Sequence, residues 1–270
     1  MAAEDHRQYL RILGVSRREP SLASLGELTA AHLTRVPFEN VSKLYRFRRT
    51  GFRRIPELAR FLDEIEQFHF GGTCYSNNYH LHGLLRSLGY QAALCGADMA
   101  KPDVHLTNLV TIDGGEYLVD AGYGGPFLAP MPRNLAEDYT IALGEEQYVL
   151  NPRDGQGRSR LELRRDGQCK HGYVVNPAPR DIGEFARVID ESFSDSATFM
   201  NALVLVRFFE GRSVRLQNLT LIESEGTTSR TEKMKGASRL PDLIEERFGI
   251  PGRIAREALA GLELAKDPWG

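Results

Sequence analysis

The stretch Phe70–Gly89, FGGTCYSNNYHLHGLLRSLG, constrains this chain more than any other. Leu81, Leu84, Leu85 and Leu88 recur at helical spacing, and Gly89 stands where a left-handed helix cap is expected. The Gly71-Gly72 pair in front lets the backbone turn tightly, so the pattern predicts a helix with Cys74 in its first turn. Counting by threes and fours from Leu88 and Leu85 back through Leu81 and Asn78 returns to Cys74, which puts the thiol on the buried face. A thiol at that point meets unpaired N–H groups and the positive end of the helix dipole. Both favour the thiolate, and both stabilise an oxyanion formed on the carbon it attacks. The position suits a nucleophile.

Composition narrows what such a nucleophile can serve. Of 270 residues, 41% are hydrophobic and 26% charged, ordinary values for a globular chain able to bury a sizeable core. A formal net charge of −2 gives no electrostatic case for nucleic acid or an anionic membrane. The N-terminal MAAEDHRQYL lacks an apolar signal core, and the longest apolar run, Ala202 to Val206, is too short to span a bilayer. A cytoplasmic location is therefore expected. Cys74, Cys95 and Cys169 form neither a disulfide framework nor a zinc pattern, and Cys95 and Cys169 are expected to be buried, inert thiols. His80 and His82 follow Cys74, but an i, i+2 spacing puts them on different helix faces, so no metal site is expected.

Up to Leu88 the chain reads mainly as helix, with stripes at Tyr9–Leu13, Leu22–Leu33 and Ile55–Phe68 and a break at Pro37. The basic run Arg46–Arg54 is expected to be a solvated surface loop. Beyond Gly89 the period changes to two. Short strand-like pieces (91–94, 105–112, 116–121, 147–150, 160–164, 173–175) alternate with Gly, Pro, Asn and Asp clusters, as in a small antiparallel sheet or barrel. Asp181–Asp190 reads as helix, 202–209 and 213–222 as two strands, and Leu240–Leu262 as a closing helix or helix pair.

The strands on either side of Asp113-Gly114-Gly115 carry the next group. If Asp113-Gly114 forms the two-residue type I′ turn that this dipeptide favours, Ile112 faces Gly115 and Thr107 faces Asp120. His105 then lies on the same face as Asp120 and diagonal to it, at a Cβ separation of roughly 7 to 8 Å that two side chains can close. A Gly114-Gly115 turn keeps that parity but moves the pair apart, and a three-residue loop puts them on opposite faces. Taken singly, Cys74, His105 and Asp120 each have an ordinary structural explanation. Together they make a Cys-His-Asp constellation, in which the acid fixes the tautomer of an imidazole that takes a proton from the thiol.

The order of Arg35-Val36-Pro37-Phe38-Glu39-Asn40, Gly71-Gly72-Thr73-Cys74, a strand beginning His105-Leu106 and Val119-Asp120-Ala121-Gly122-Tyr123-Gly124 resembles the arylamine N-acetyltransferases. Leu243–Ile250 also looks like that family's C-terminal helix. The resemblance implies an α+β fold around a cysteine-protease-like core. Its expected parts are a helical bundle over residues 1–90, an antiparallel β-barrel with an interdomain helix over 91–190, and an α/β lid over 191–270. It further implies Cys74 as the acetyl-accepting nucleophile, His105 as base and Asp120 as orienting acid. Phe38, Gly122, Tyr123 and Gly124 are implied to border the substrate pocket.

Acetyl-CoA is the implied donor, and a small aromatic amine or hydrazine the acceptor. Many members carry Arg before the Gly-Gly pair and Glu two residues after the cysteine. This chain has Phe70 and Ser76, a cation and an anion lost together, as when a structural pair is replaced as a unit. The same triad also serves amide synthases and hydrolases, and a non-catalytic binding module could keep the fold.

Overall fold

In the computed structural model, which describes residues 2–264, the apolar stripes of the first third fold as α1 (Ala2–Leu13), α2 (Leu22–Arg35), α3 (Val41–Thr50), α4 (Leu58–Phe68) and α5 (Cys74–Ser87). A short strand, β1 (Phe38–Glu39), lies between α2 and α3. Ser21 starts α2 by accepting the Ser24 N–H at 3.1 Å, and the helix stops two residues before Pro37. Tyr9, Leu13, Leu25, Phe61, Leu81, Leu84 and Leu85 pack the stripes of α1, α2, α4 and α5 into one core. Each such residue contributes about 1.5 to 3 kcal/mol by leaving water.

Two expectations for this region are corrected. Neither Gly71 nor Gly72 has a positive φ, so the pair is not required for a left-handed backbone. Close approach explains it instead, since a Cβ on Gly71 would stand 1.9 Å from the Pro37 carbonyl oxygen. The run Arg46–Arg54 is also not simply a solvated loop. Its first residues continue α3, and Arg46 is buried against Glu64 of α4, with Nε 2.8 Å from Oε2. Only after Gly51, at φ 66°, does the chain run outward.

The middle of the chain forms β2 (Gln91–Asp98), β3 (His105–Ile112), β4 (Gly115–Val119), β5 (Met131–Pro132), β6 (Tyr139–Leu143), β7 (Glu146–Leu150), β8 (Ser159–Arg165) and β9 (Gln168–Pro179). They pair antiparallel in the order β5-β4-β3-β2-β9-β8-β7-β6. Side chains from all eight strands meet in a single apolar cluster, so the sheet wraps around its own core as a nearly closed barrel. Asp113 at φ 50° and Gly114 at φ 76° make the two-residue turn of the β3-β4 hairpin. Its register sets Ile112 opposite Gly115 and Asn108 opposite Val119.

A capped turn at Ile182–Phe185 leads into α6 (Ala186–Glu191), followed by α7 (Thr198–Asn201). The last third forms β10 (Val204–Phe209), β11 (Arg212–Gln217), β12 (Thr220–Glu225), β13 (Thr228–Lys233), α8 (Leu240–Phe248) and α9 (Gly252–Leu259). The single strand expected over 213–222 is two strands. Asn218, left-handed at φ 50°, closes the turn between them, a role more readily anticipated for glycine. The strand β13 went unanticipated because its sequence, TSRTEK, is polar and it forms an exposed sheet edge.

This second sheet has the order β1-β10-β11-β12-β13, so a strand from the first forty residues borders it. Phe38 pairs with Val206 and Glu39 with Leu205. The buried Glu39 carboxylate accepts the Ser42 N–H at 2.8 Å and the Gly71 N–H at 3.0 Å, tying the start of α3 to the loop in front of Cys74. No helix among the described residues is long and apolar enough to cross a membrane.

Candidate active site

The helix α5 presents Cys74 at its first position, where backbone N–H groups have no intrahelical partner. Its buried face lies on β3, and Asn108 of that strand donates to the Asn78 carbonyl at 3.0 Å. His105 is the first residue of β3. Asp120 follows the last residue of β4, where the chain leaves the ladder and its side chain can turn back. The three side chains are 4% (Cys74), 1% (His105) and 0% (Asp120) exposed.

His105 Nε2 lies 2.8 Å from Asp120 Oδ2. The ring also interacts with the Cys74 side chain, whose Sγ lies 3.9 Å from the Val104 carbonyl oxygen. Burial alone would depress the imidazole pKa, but the Asp120 carboxylate and Cys74 outweigh it and push it up to about 10. Burial would likewise raise Asp120, yet His105, Asn78 and Tyr173 together hold its carboxyl below the usual range. This arrangement can pass a proton between thiol and imidazole, with the acid fixing the orientation of the ring.

Two members of the site escaped the sequence reading as functional residues. Asn78, one helical turn after Cys74, donates from Nδ2 to Asp120 Oδ1 at 2.8 Å and to the Leu106 carbonyl. Its Oδ1 accepts the Ala121 N–H at 2.8 Å, so one amide locks α5 to the ends of β3 and β4. Its place on the buried face was visible by helical counting. Tyr173 of β9 donates its hydroxyl to Asp120 Oδ2 at 2.6 Å, and nothing local in the sequence signals it.

Of the remaining expected residues, Gly122 lies against the nucleophile. A Cβ there would stand 2.4 Å from Cys74 Cα, and its N–H donates to Asp120 Oδ1 at 2.8 Å. Tyr123 meets the His105 ring edge-on at 6.0 Å and bonds His171 Nδ1 at 2.9 Å. Gly124 and Phe38 face each other, with the ring 3.4 Å from where a Cβ would be, and Phe38 packs edge-on against Phe199.

At the positions of the lost Arg and Glu, the Arg46 guanidinium lies 5.7 Å over the Phe70 ring, and Arg46 shares a cavity wall with Ser76. A cation from α3, answered by Glu64, occupies this neighbourhood. The other candidates lie apart. Cys95 is buried, which pushes its thiol up to about 12. Cys169, expected to be buried, is exposed beside the β8-β9 turn because that hairpin extends past the core. His80 stacks on Phe61 at 4.3 Å and bonds the Pro56 carbonyl, whereas His82 bonds Asn108. Among the described residues no cluster of metal-ligating side chains forms.

The N-acetyltransferase family model matches residues 21–255. The arylamine N-acetyltransferase pineal gland isozyme NAT-3 of Gallus gallus is 28% identical over 200 residues, 64% of this chain and 66% of its own, so the match spans just under two thirds of that relative. The crystal structure of Nocardia farcinica arylamine N-acetyltransferase shares the fold at a TM-score of 0.77 and 27% identity, covering 98% of this chain and 97% of that one. A structure of the Mycobacterium marinum arylamine N-acetyltransferase in complex with CoA has the same fold at a TM-score of 0.78 and 22% identity, over 93% and 97% of the two chains. With the family model covering most of the sequence and the architecture shared almost end to end, the chain belongs to the arylamine N-acetyltransferase family of acyltransferases.

Proposed function

We propose that this protein transfers an acetyl group from acetyl-CoA to small arylamines, arylhydrazines or N-hydroxyarylamines by a ping-pong mechanism through Cys74. The observation that carries the reading is the His105 ring, held at 2.8 Å by Asp120 and interacting with the Cys74 side chain. Family membership supports the reaction class, and the CoA complex of the mycobacterial relative supports the donor.

In the first half-reaction the Cys74 thiolate adds to the thioester carbonyl carbon. The bond from that carbon to the coenzyme sulfur breaks, and the departing thiolate takes the proton from the His105 imidazolium. In the second, the amine nitrogen attacks the acetyl-cysteine and His105 accepts its proton. The carbon–sulfur bond to Cys74 then breaks, which restores thiolate and imidazolium. First-turn N–H groups of α5 are the donors to the oxyanion in both halves, a contribution worth about 10² to 10³ in rate per donor. Phe38 and the Gly122-Tyr123-Gly124 loop border the acceptor, and Asp120 orients the base.

Incubation with acetyl-CoA and no acceptor tests this directly. One acetyl group on Cys74, seen by intact-mass and peptide analysis and absent in Cys74→Ala, is the expected result; an unmodified wild-type protein would overturn the reading.

A further inference from the structure

One histidine beside the site has no part in the acetyl transfer derived above. His171 lies on β9 two residues before Tyr173, so the two side chains leave the same face of the strand. Tyr173 bonds Asp120, and His171 bonds the residue three further along, its Nδ1 standing 2.9 Å from the Tyr123 hydroxyl. A single strand thereby holds both ends of the segment from Asp120 to Tyr123. Burial draws His171 down to about 4, and charge on His105 pushes it the same way, so the imidazole is neutral and has a lone pair to offer. Burial also keeps the Tyr123 phenol protonated, so the phenol can donate and Nδ1 accept.

The Tyr123 ring packs against Phe127 at 5.9 Å, Tyr173 at 5.1 Å and His105 at 6.0 Å. Ring contacts of this kind keep the side chain buried but tolerate a range of angles, whereas a hydrogen bond at its far end fixes the direction. The backbone on either side shows why direction matters. Gly122 lies against Cys74, and Gly124, left-handed at φ 80°, brings the chain against Phe38 and Val206. A ring that swung would carry this loop with it and move the wall of the acceptor pocket relative to the acetyl-cysteine, where an error of about 1 Å can cost about 10² in rate. The Asp120 carboxylate has separate anchors in Asn78 and Tyr173, so loss of the His171 bond falls on that wall more than on the base.

We propose that His171 is a positioning residue for the acceptor: through the Tyr123 hydroxyl it holds the loop against which an aromatic amine rests, and so favours ring-bearing acceptors over small ones that touch no wall. The inference rests on the acyl-transfer reading above.

The test separates the two half-reactions. Cys74 is first acetylated by acetyl-CoA, and loss of the acetyl group to aniline, or to hydrazine, which carries no ring, is then followed by intact mass against time. In His171→Leu, transfer to aniline is expected to slow about tenfold, the worth of one hydrogen bond, while transfer to hydrazine changes little. His171→Asn, whose Oδ1 can take the place of Nδ1, is expected to recover most of that loss. Tyr123→Phe should lose about as much with aniline as His171→Leu, and the double variant no more than either, because the same bond is gone in all three. An unchanged rate with aniline, equal slowing with both acceptors, or losses that add in the double variant overturns the positioning role and leaves the acyl-transfer reading standing. A wild-type protein that takes no acetyl group overturns both. If His171→Leu does not fold, Tyr123→Phe alone decides by the same comparison of aniline with hydrazine.

Discussion

Two groups of polar side chains attend Cys74, and they are completed to different degrees. In the His105–Asp120 group every carboxylate oxygen is engaged: Oδ2 meets His105 and Tyr173, and Oδ1 meets Asn78 and the Gly122 N–H. In the Lys43 group a buried ammonium has one neutral hydroxyl acceptor and a ring face. A saturated network in a dry interior holds its members in one geometry, which proton transfer requires. The first group is closed by its own hydrogen bonds, whereas among the described residues no carboxylate pairs with the ammonium of the second.

This contrast can be broken or sharpened by substitution. The largest effect is expected from Asp120→Asn, which keeps the shape but removes the charge that outweighs burial at His105; kcat/KM should fall by about 10³ to 10⁴. The His105 imidazole should then titrate lower than in the wild-type protein, as followed by NMR. The same variant has a defined pH signature. His105, raised from 6.5 to about 10 on folding, contributes stability that is full below pH 6.5 and lost as pH rises through 10. Asp120, lowered from 3.8, contributes stability that is full above pH 3.8 and lost in acid. The deficit of Asp120→Asn in denaturant unfolding should therefore be greatest between pH 3.8 and 6.5 and shrink toward pH 10.

Next in size is Asn78→Ala. It strips one donor from Asp120 and leaves the Ala121 N–H and Leu106 carbonyl unanswered, so about 3 kcal/mol of unfolding free energy should be lost. Tyr173→Phe removes a single bond to a charged oxygen, and about a tenfold loss in kcat/KM is expected with a loss of about 1.5 to 3 kcal/mol in unfolding free energy. Ser42→Ala is the smallest. Its hydroxyl interacts with the Glu39 carboxylate, which two backbone N–H groups also hold, so about 1 kcal/mol of unfolding free energy should be lost. A large loss at Ser42, or none at Asn78, would erase the distinction between the two groups.

Elements with a local cause were legible in the chain. Helical spacing put Cys74 at the start of a helix and Asn78 on its buried face, because i and i+4 share a face in any α-helix. The Asp113-Gly114 turn fixed the β3-β4 register, and with it the approach of His105 to Asp120, because two left-handed residues admit one hairpin geometry. Whatever depends on contacts between distant segments emerged with packing alone. Tyr173 reaches Asp120 across the barrel, β1 joins a sheet far down the chain, and Glu64 draws Arg46 inward from a run that reads as solvated. Lys43 belongs with these. Its ammonium stands beside Ser192 and near Cys74 only once α3, α5 and the segment after α6 pack together, and no period or spacing in the chain encodes that meeting.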